Sequence, residues 1–305
     1  MGATQLRTPK PPLNFGYHLP IWGPAATRET IITLARRVEA LGFDSVWASD
    51  HVVIPFEIRS RYPYNATGDF PLPPTTNFLE PLTVLSLVAG VTERLRLGTT
   101  VLVLPHRHPV LAAKMLATLD HLAPGRVILG AGVGWMREEI ELLGAPYEQR
   151  GAWTDEAIEI MRKCWRDERV SHHGRFFTFP EIGVAPKPPR GTIPIWIGGH
   201  TPRAMRRVAE LGEGWHAAFA TPDVMKKGLV ELKAACAKVG RDPADITLSV
   251  RLGLAAKRPA GEVLDELKGL RDIGVSHVIV ETRVASAEDM TQLLDRFTNE
   301  VRSKL

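Results

Sequence analysis

Cysteine is nearly absent. Only Cys164 and Cys236 occur in 305 residues, too few for a disulfide scaffold or a four-cysteine metal site. Nothing resembles the uncharged apolar run of about 18 residues that a membrane-spanning helix needs. The opening MGATQLRTPKPPLN lacks the apolar core of a secretory signal. A reducing, cytoplasmic location with no membrane partner is therefore expected. No run of five or more basic residues exists, and the paired ones (Arg36-Arg37, Arg206-Arg207, Lys226-Lys227) have no aromatics between them. That excludes an ordinary nucleic-acid surface. The net charge of +4 suits an anionic small molecule better. Neither a G-x-S-x-G elbow nor a Walker loop is present.

What is there is alternation. Short apolar runs recur at Leu13–Leu19, Ser45–Ser49, Leu95–Leu104, Arg126–Gly134, Ile193–Gly199, Gly214–Phe219, Ile246–Leu252 and His277–Glu281. Several are apolar at consecutive positions, as in VILGAGVG, which suits strands buried on both faces of a parallel sheet. Amphipathic patterns lie between them. Thr201-Pro202 and Thr221-Pro222 pair an N-cap residue with a first-turn proline, and Ser286 precedes another helical pattern. Eight βα units in this length predict an α/β fold, a closed (β/α)8 TIM barrel, over an open doubly wound sheet.

Residues 1–12 read as a loose N-terminal tail and residues 13–305 as a single barrel domain. Two strand-to-strand gaps are long. Residues 52–78 are rich in proline and aromatics. Residues 135–193 form an insertion with a helix near Ala152–Trp165 and a hairpin through His172–Phe179. Both follow strands, and in a barrel the segments after strands build the active-site face.

Candidate site residues cluster at the same strand ends. Asp50 and His51 end the second strand, and His18 ends the first. A carboxylate and imidazoles there are placed for acid–base chemistry. His106 and His108 follow the third strand, but no histidine–carboxylate spacing indicates a metal, and none is expected. Gly130-Ala-Gly132-Val133-Gly134 has G-x-G-x-G rather than G-x-G-x-x-G spacing, so a dinucleotide fingerprint is not expected. It reads instead as a bare strand end against which a flat ring could lie, with Trp135 as a wall. Gly198-Gly199-His200-Thr201 joins a buried strand to a capped helix, a place where backbone N–H groups and the helix dipole favour a phosphate. Arg203, Arg206 and Arg207 follow.

Together, SVWASDHVVIP (45–55), RLRLGTTVLVLPHRHP (94–109), AKMLATLDHLAPGRVILGAGVGW (113–135), RGAWTDEAIEIMRKCW (150–165), PKPP (186–189) and PIWIGGHTPRAMRRVAELGEGW (194–215) resemble the bacterial-luciferase-like superfamily. The likeness is to its deazaflavin-dependent oxidoreductase branch. The resemblance implies a TIM barrel with an insertion, often a homodimer, and coenzyme F420, with FMN as the alternative. It implies hydride transfer to or from a small-molecule substrate, with His51, Asp50 and His18 as catalytic candidates. Carried over, a non-prolyl cis peptide falls at Thr100-Val101. The coenzyme would be held by Asp50, Thr99, Thr100 and Val101, by Gly132, Val133, Gly134 and Trp135, and by Gly198, Gly199, His200 and Thr201. The arginines near 203–207 would meet its anionic tail. Members that oxidise sugar phosphates carry a glutamate directly after the glycine strand. Trp135 stands there instead, with Glu138 and Glu139 beyond, so a less polar carbonyl, alkene or alcohol is expected.

Overall fold

The computed structural model describes residues 12–305. The expected tail, apart from Pro12, lies outside the described residues. Eight strands are β1 (Asn14–His18), β2 (Ser45–Ala48), β3 (Arg96–Thr99), β5 (Val127–Gly132), β8 (Ile195–Gly198), β9 (Gly214–Ala218), β10 (Thr247–Leu254) and β11 (His277–Thr282). Each is parallel to both neighbours. The sheet closes where β3 meets β5, with Leu97 opposite Val127 and Gly98 opposite Ile128. This is the expected TIM barrel. A short strand β4 (Leu102–Val103) continues β3 and also pairs with β5. The Thr100–Val101 peptide between β3 and β4 is cis, at the position the resemblance implied.

The helices follow from local chemistry. Thr27, Thr201, Thr221 and Ser286 cap α1 (Arg28–Ala40), α6 (Pro202–Leu211), α7 (Pro222–Val239) and α9 (Ala287–Glu300) by accepting a first-turn backbone N–H. Proline opens α2 (Pro81–Ala89), α3 (Pro109–Leu122), α6 and α7, where its missing N–H costs nothing. Within residues 135–193 lie α4 (Arg137–Leu142), α5 (Arg150–Arg166) and the antiparallel hairpin β6 (Val170–His173) and β7 (Thr178–Ile182). The remaining helix, α8, spans Ala260–Asp272. No described helix is long and apolar enough to cross a membrane.

One apolar core lies between strands and helices. A separate cluster of Trp47, Ile128, Trp196 and Ile279 fills the barrel interior. Trp47 stacks on Trp196 at 5.3 Å and on His216 at 5.6 Å. Gly98 makes room for it, since a Cβ there would lie 2.3 Å from the indole. A tryptophan thus plugs the barrel and forces the open space to its C-terminal mouth.

Candidate active site

At that mouth is a cavity of about 910 Å³. The long segment after β2 and the turn after β5 supply an aromatic wall. Tyr62 and Phe70 pack on Trp135 at 5.2 and 5.4 Å, and Phe70 and Phe78 pack on the His51 ring at 5.0 and 5.3 Å. Trp22 and Phe219 line the other side. Phe219 holds a φ of 53°, a left-handed conformation that a bulky residue adopts at a cost. The guanidinium groups of Arg251 and Arg283 lie 4.8 and 5.1 Å from its ring.

His51 faces the cavity, and its Nδ1 lies 2.7 Å from Glu139 Oε2. The other oxygen of Glu139 accepts the Val52 and Val53 backbone N–H groups at 2.6 and 3.1 Å. Helix α4 therefore holds the start of the loop that carries His51. His106 lies behind, with Nε2 3.6 Å from Glu139 and Nδ1 3.7 Å from Asp50. Asp50 itself accepts two N–H groups from Arg107, at 2.6 and 3.0 Å, and the Val103 N–H at 2.9 Å. Burial would raise the Asp50 pKa, but His106 and Arg107 hold it down to about 2. With both oxygens occupied, Asp50 is a structural tie between β2 and β4. Asp50 also lines the cavity.

His18 lies on the same mouth but is saturated. Ser49 Oγ donates to the Thr100 carbonyl at 3.2 Å and accepts from Arg251 at 3.1 Å, and His18 Nε2 meets it at 2.8 Å. Burial first, then the Arg251 cation, pushes the His18 pKa well below the ordinary imidazole value. Arg251 is in turn paired with Glu281 at 2.9 Å. Thr100 Oγ1 bonds His216 Nε2 at 2.7 Å, and His216 Nδ1 bonds Ser249 at 3.0 Å.

Several expected coenzyme contacts are placed differently. Gly132, Val133, Gly134, Trp135, Thr100, Val101, Gly198 and Gly199 line the cavity; Thr99, His200 and Thr201 do not. The Thr99 hydroxyl donates to Gly130 O at 2.8 Å, His200 bonds Ala218 O at 3.2 Å, and Thr201 caps α6. Gly130 and Gly132 of the β5 run are also required by packing. A Cβ on Gly130 would strike Thr99 O at 1.8 Å, and one on Gly132 would lie 2.3 Å from the Val101 side chain. Arg206 and Arg207 are both engaged by Asp155 of α5. No sequence motif marks Arg251 or Glu281, and Glu139 stands in sequence only as a residue beyond Trp135. No local spacing marks Glu139, because its contact with His51 spans 88 positions. Among the described residues no cluster of three or more His, Cys, Asp or Glu could hold a metal ion.

Comparison with known proteins agrees with this architecture. A family model described as luciferase-like monooxygenase matches residues 14–300. A Mycobacterium tuberculosis protein without an assigned function is 35% identical over 254 residues, covering 83% of this chain and 85% of that protein. The phthiodiolone/phenolphthiodiolone dimycocerosates ketoreductase of Mycobacterium tuberculosis is 31% identical over 237 residues, 75% of this chain and 62% of that one. Among solved structures, an F420-dependent secondary alcohol dehydrogenase bound to an F420-acetone adduct superposes with a TM-score of 0.78 at 18% identity, covering 95% and 98% of the two chains. A monooxygenase from Streptomyces bottropensis gives 0.76 at 20% identity, covering 96% and 99%. At these identities the structural matches establish the shared fold.

Proposed function

The chain belongs to the luciferase-like monooxygenase family, and on that premise we propose that it is a coenzyme F420-dependent oxidoreductase acting on a small, largely apolar organic substrate. The observation that carries this reading is the His51 imidazole, held by buried Glu139 at the wall of a large cavity at the barrel mouth.

The cavity fits such a coenzyme. Its volume of about 910 Å³ lies at the upper end of the range of about 300–1,000 Å³ typical of small-molecule sites. Flat aromatic and glycine surfaces suit a flat ring. The Gly198-Gly199 backbone, with Gly199 at φ 113°, lines the cavity just before the capped start of α6, where a phosphate would be favoured. Exposed Arg283 is the cation at the rim suited to an anionic group. Thr100, Val101, Gly132–Trp135 and Gly198–Gly199 would hold the coenzyme.

Bound there, a deazaflavin supplies or accepts hydride at C5. The protein's own part is to exclude water with Tyr62, Phe70, Phe78 and Trp135 and to exchange a proton through His51. Trp135 in the place of a glutamate argues against sugar phosphates. FMN is the second reading, supported by a riboflavin lyase of the same fold solved with a modified FMN. Titrating the purified protein with F420 and with FMN tests the pair; tight FMN binding with no deazaflavin affinity reverses the order. A cytoplasmic homodimer without nucleic-acid or membrane partners completes the proposal. Light scattering at micromolar concentration should give twice the chain mass.

A further inference from the structure

Glu139 is fully buried, and its two oxygens face different tasks. Oε1 accepts the Val52 and Val53 backbone N–H groups, while Oε2 faces His51 Nδ1. A carboxylate can only accept, so the imidazole proton must sit on Nδ1. Nε2 then carries the lone pair. The ring lines the cavity, and no described residue bonds Nε2. The other groups packed on the ring are Phe70 and Phe78 from the loop after β2 and Trp135 from the turn after β5. His106 Nε2 lies 3.6 Å from the same Oε2, and Asp50 lies beyond His106 with Arg107. Among the described residues, Glu139 is the one carboxylate in contact with His51.

We infer that Glu139 is a positioning residue that fixes the His51 tautomer, so that Nε2 enters the cavity as a proton acceptor. The inference rests on the coenzyme reading above and narrows it. With an alcohol as substrate, Nε2 would take the hydroxyl proton, and a bound deazaflavin would supply the acceptor for the carbinol hydride, leaving C=O. In reverse, the imidazolium, stabilised by Glu139, returns the proton to the carbonyl oxygen. A carboxylate that served only to anchor the loop at Val52 and Val53 would have no need to face Nδ1.

Glu139→Gln separates the two roles. The amide keeps an oxygen for the Val52 and Val53 N–H groups and turns its NH₂ towards Nδ1. That selects the opposite tautomer, with the proton on Nε2. Nitrogen NMR on protein labelled at its histidines, without coenzyme and with His51→Asn for assignment, reads the tautomer directly. The wild type should show a protonated Nδ1 and a bare Nε2, and Glu139→Gln should reverse them. With secondary alcohols and F420, Glu139→Gln should lower kcat by roughly 10²-fold or more, with KM and coenzyme affinity within a few-fold. A wild-type spectrum with the proton on Nε2 overturns the inference, and does so even if the variant fails to fold. So does a Glu139→Gln protein with unchanged spectrum and kcat. A chain that binds no deazaflavin overturns the coenzyme reading instead, and the spectrum decides the tautomer separately.

Discussion

Arg107 grips Asp50 from one side of the barrel mouth, with guanidinium nitrogens 2.6 and 3.0 Å from the two carboxylate oxygens and a further contact to Glu80 at 2.8 Å. Asp50 is buried, and it also takes the Val103 N–H. The pair therefore ties the end of β2 to the segment after β3. Removing one partner of a buried pair leaves the other charge uncompensated, which typically costs about 3–5 kcal/mol. Asp50→Ala should lose stability on that scale in urea unfolding. A loss under about 1 kcal/mol would show that the clamp adds little beyond solvated charges.

Acid should weaken the fold earlier than carboxylate titration alone would. Burial, then the Arg251 cation, depresses His216 to about 3; burial, then Arg96, depresses His277 to about 3. Both rings are neutral when folded but charge near pH 6.5 when unfolded. Their contribution is complete above about pH 6.5 and is lost as pH falls towards 3, on the order of 1.4 kcal/mol per pH unit for each ring. Asp50, depressed to about 2, adds its loss below about pH 4. Urea midpoints taken from pH 8 to pH 4 should be level at the alkaline end and fall below about 6.5. His277→Gln should flatten the fall, and a constant stability between pH 7 and pH 5 would contradict this account.

His51→Ala should lower kcat by roughly 10²-fold or more while leaving coenzyme affinity within a few-fold. His18 is held neutral by burial and Arg251 and is occupied by Ser49, so His18→Gln should leave the pH–rate profile between pH 6 and 9 in place. An unchanged kcat in His51→Ala, with the loss found in a His18 variant, would move the proton transfer to His18.

Gly132 and Val101 should be coupled. An alanine Cβ at Gly132 would fall 2.3 Å from Val101 Cγ2, a clash inside a packed barrel that costs about 1–3 kcal/mol. Val101→Ala removes the atom that is struck. The double variant should therefore lose less stability than the sum of the two single ones, by about 0.5 kcal/mol or more. Strict additivity would show that β5 moves aside freely.

Much of the barrel was legible because its signals are local. VILGAGVG and IPIWIGG are apolar at consecutive positions, as strands covered on both faces must be. Thr201-Pro202, Thr221-Pro222 and Ser286 mark helix starts by chemistry confined to four residues. The SDH end of β2 and the glycine strand pointed to the mouth of the barrel for the same reason. The charge of the α6 arginines is visible in sequence, whereas Asp155, which engages Arg206 and Arg207, lies on another helix.

The sequence by itself determined eight βα units, their caps and the strand ends that meet at one mouth, since backbone preference and periodic burial act over neighbouring residues. Only the tertiary structure decided which polar groups share an environment. Glu139 and His51 stand 88 positions apart, and Arg251 and Ser49 stand 202 apart. Nothing in either neighbourhood encodes the other, because what joins them is barrel closure. The same closure gave the glycines of β5 to packing against Thr99 and Val101. It tied Asp50 to Arg107, and it left His51 Nε2 without a hydrogen-bond partner among the described residues.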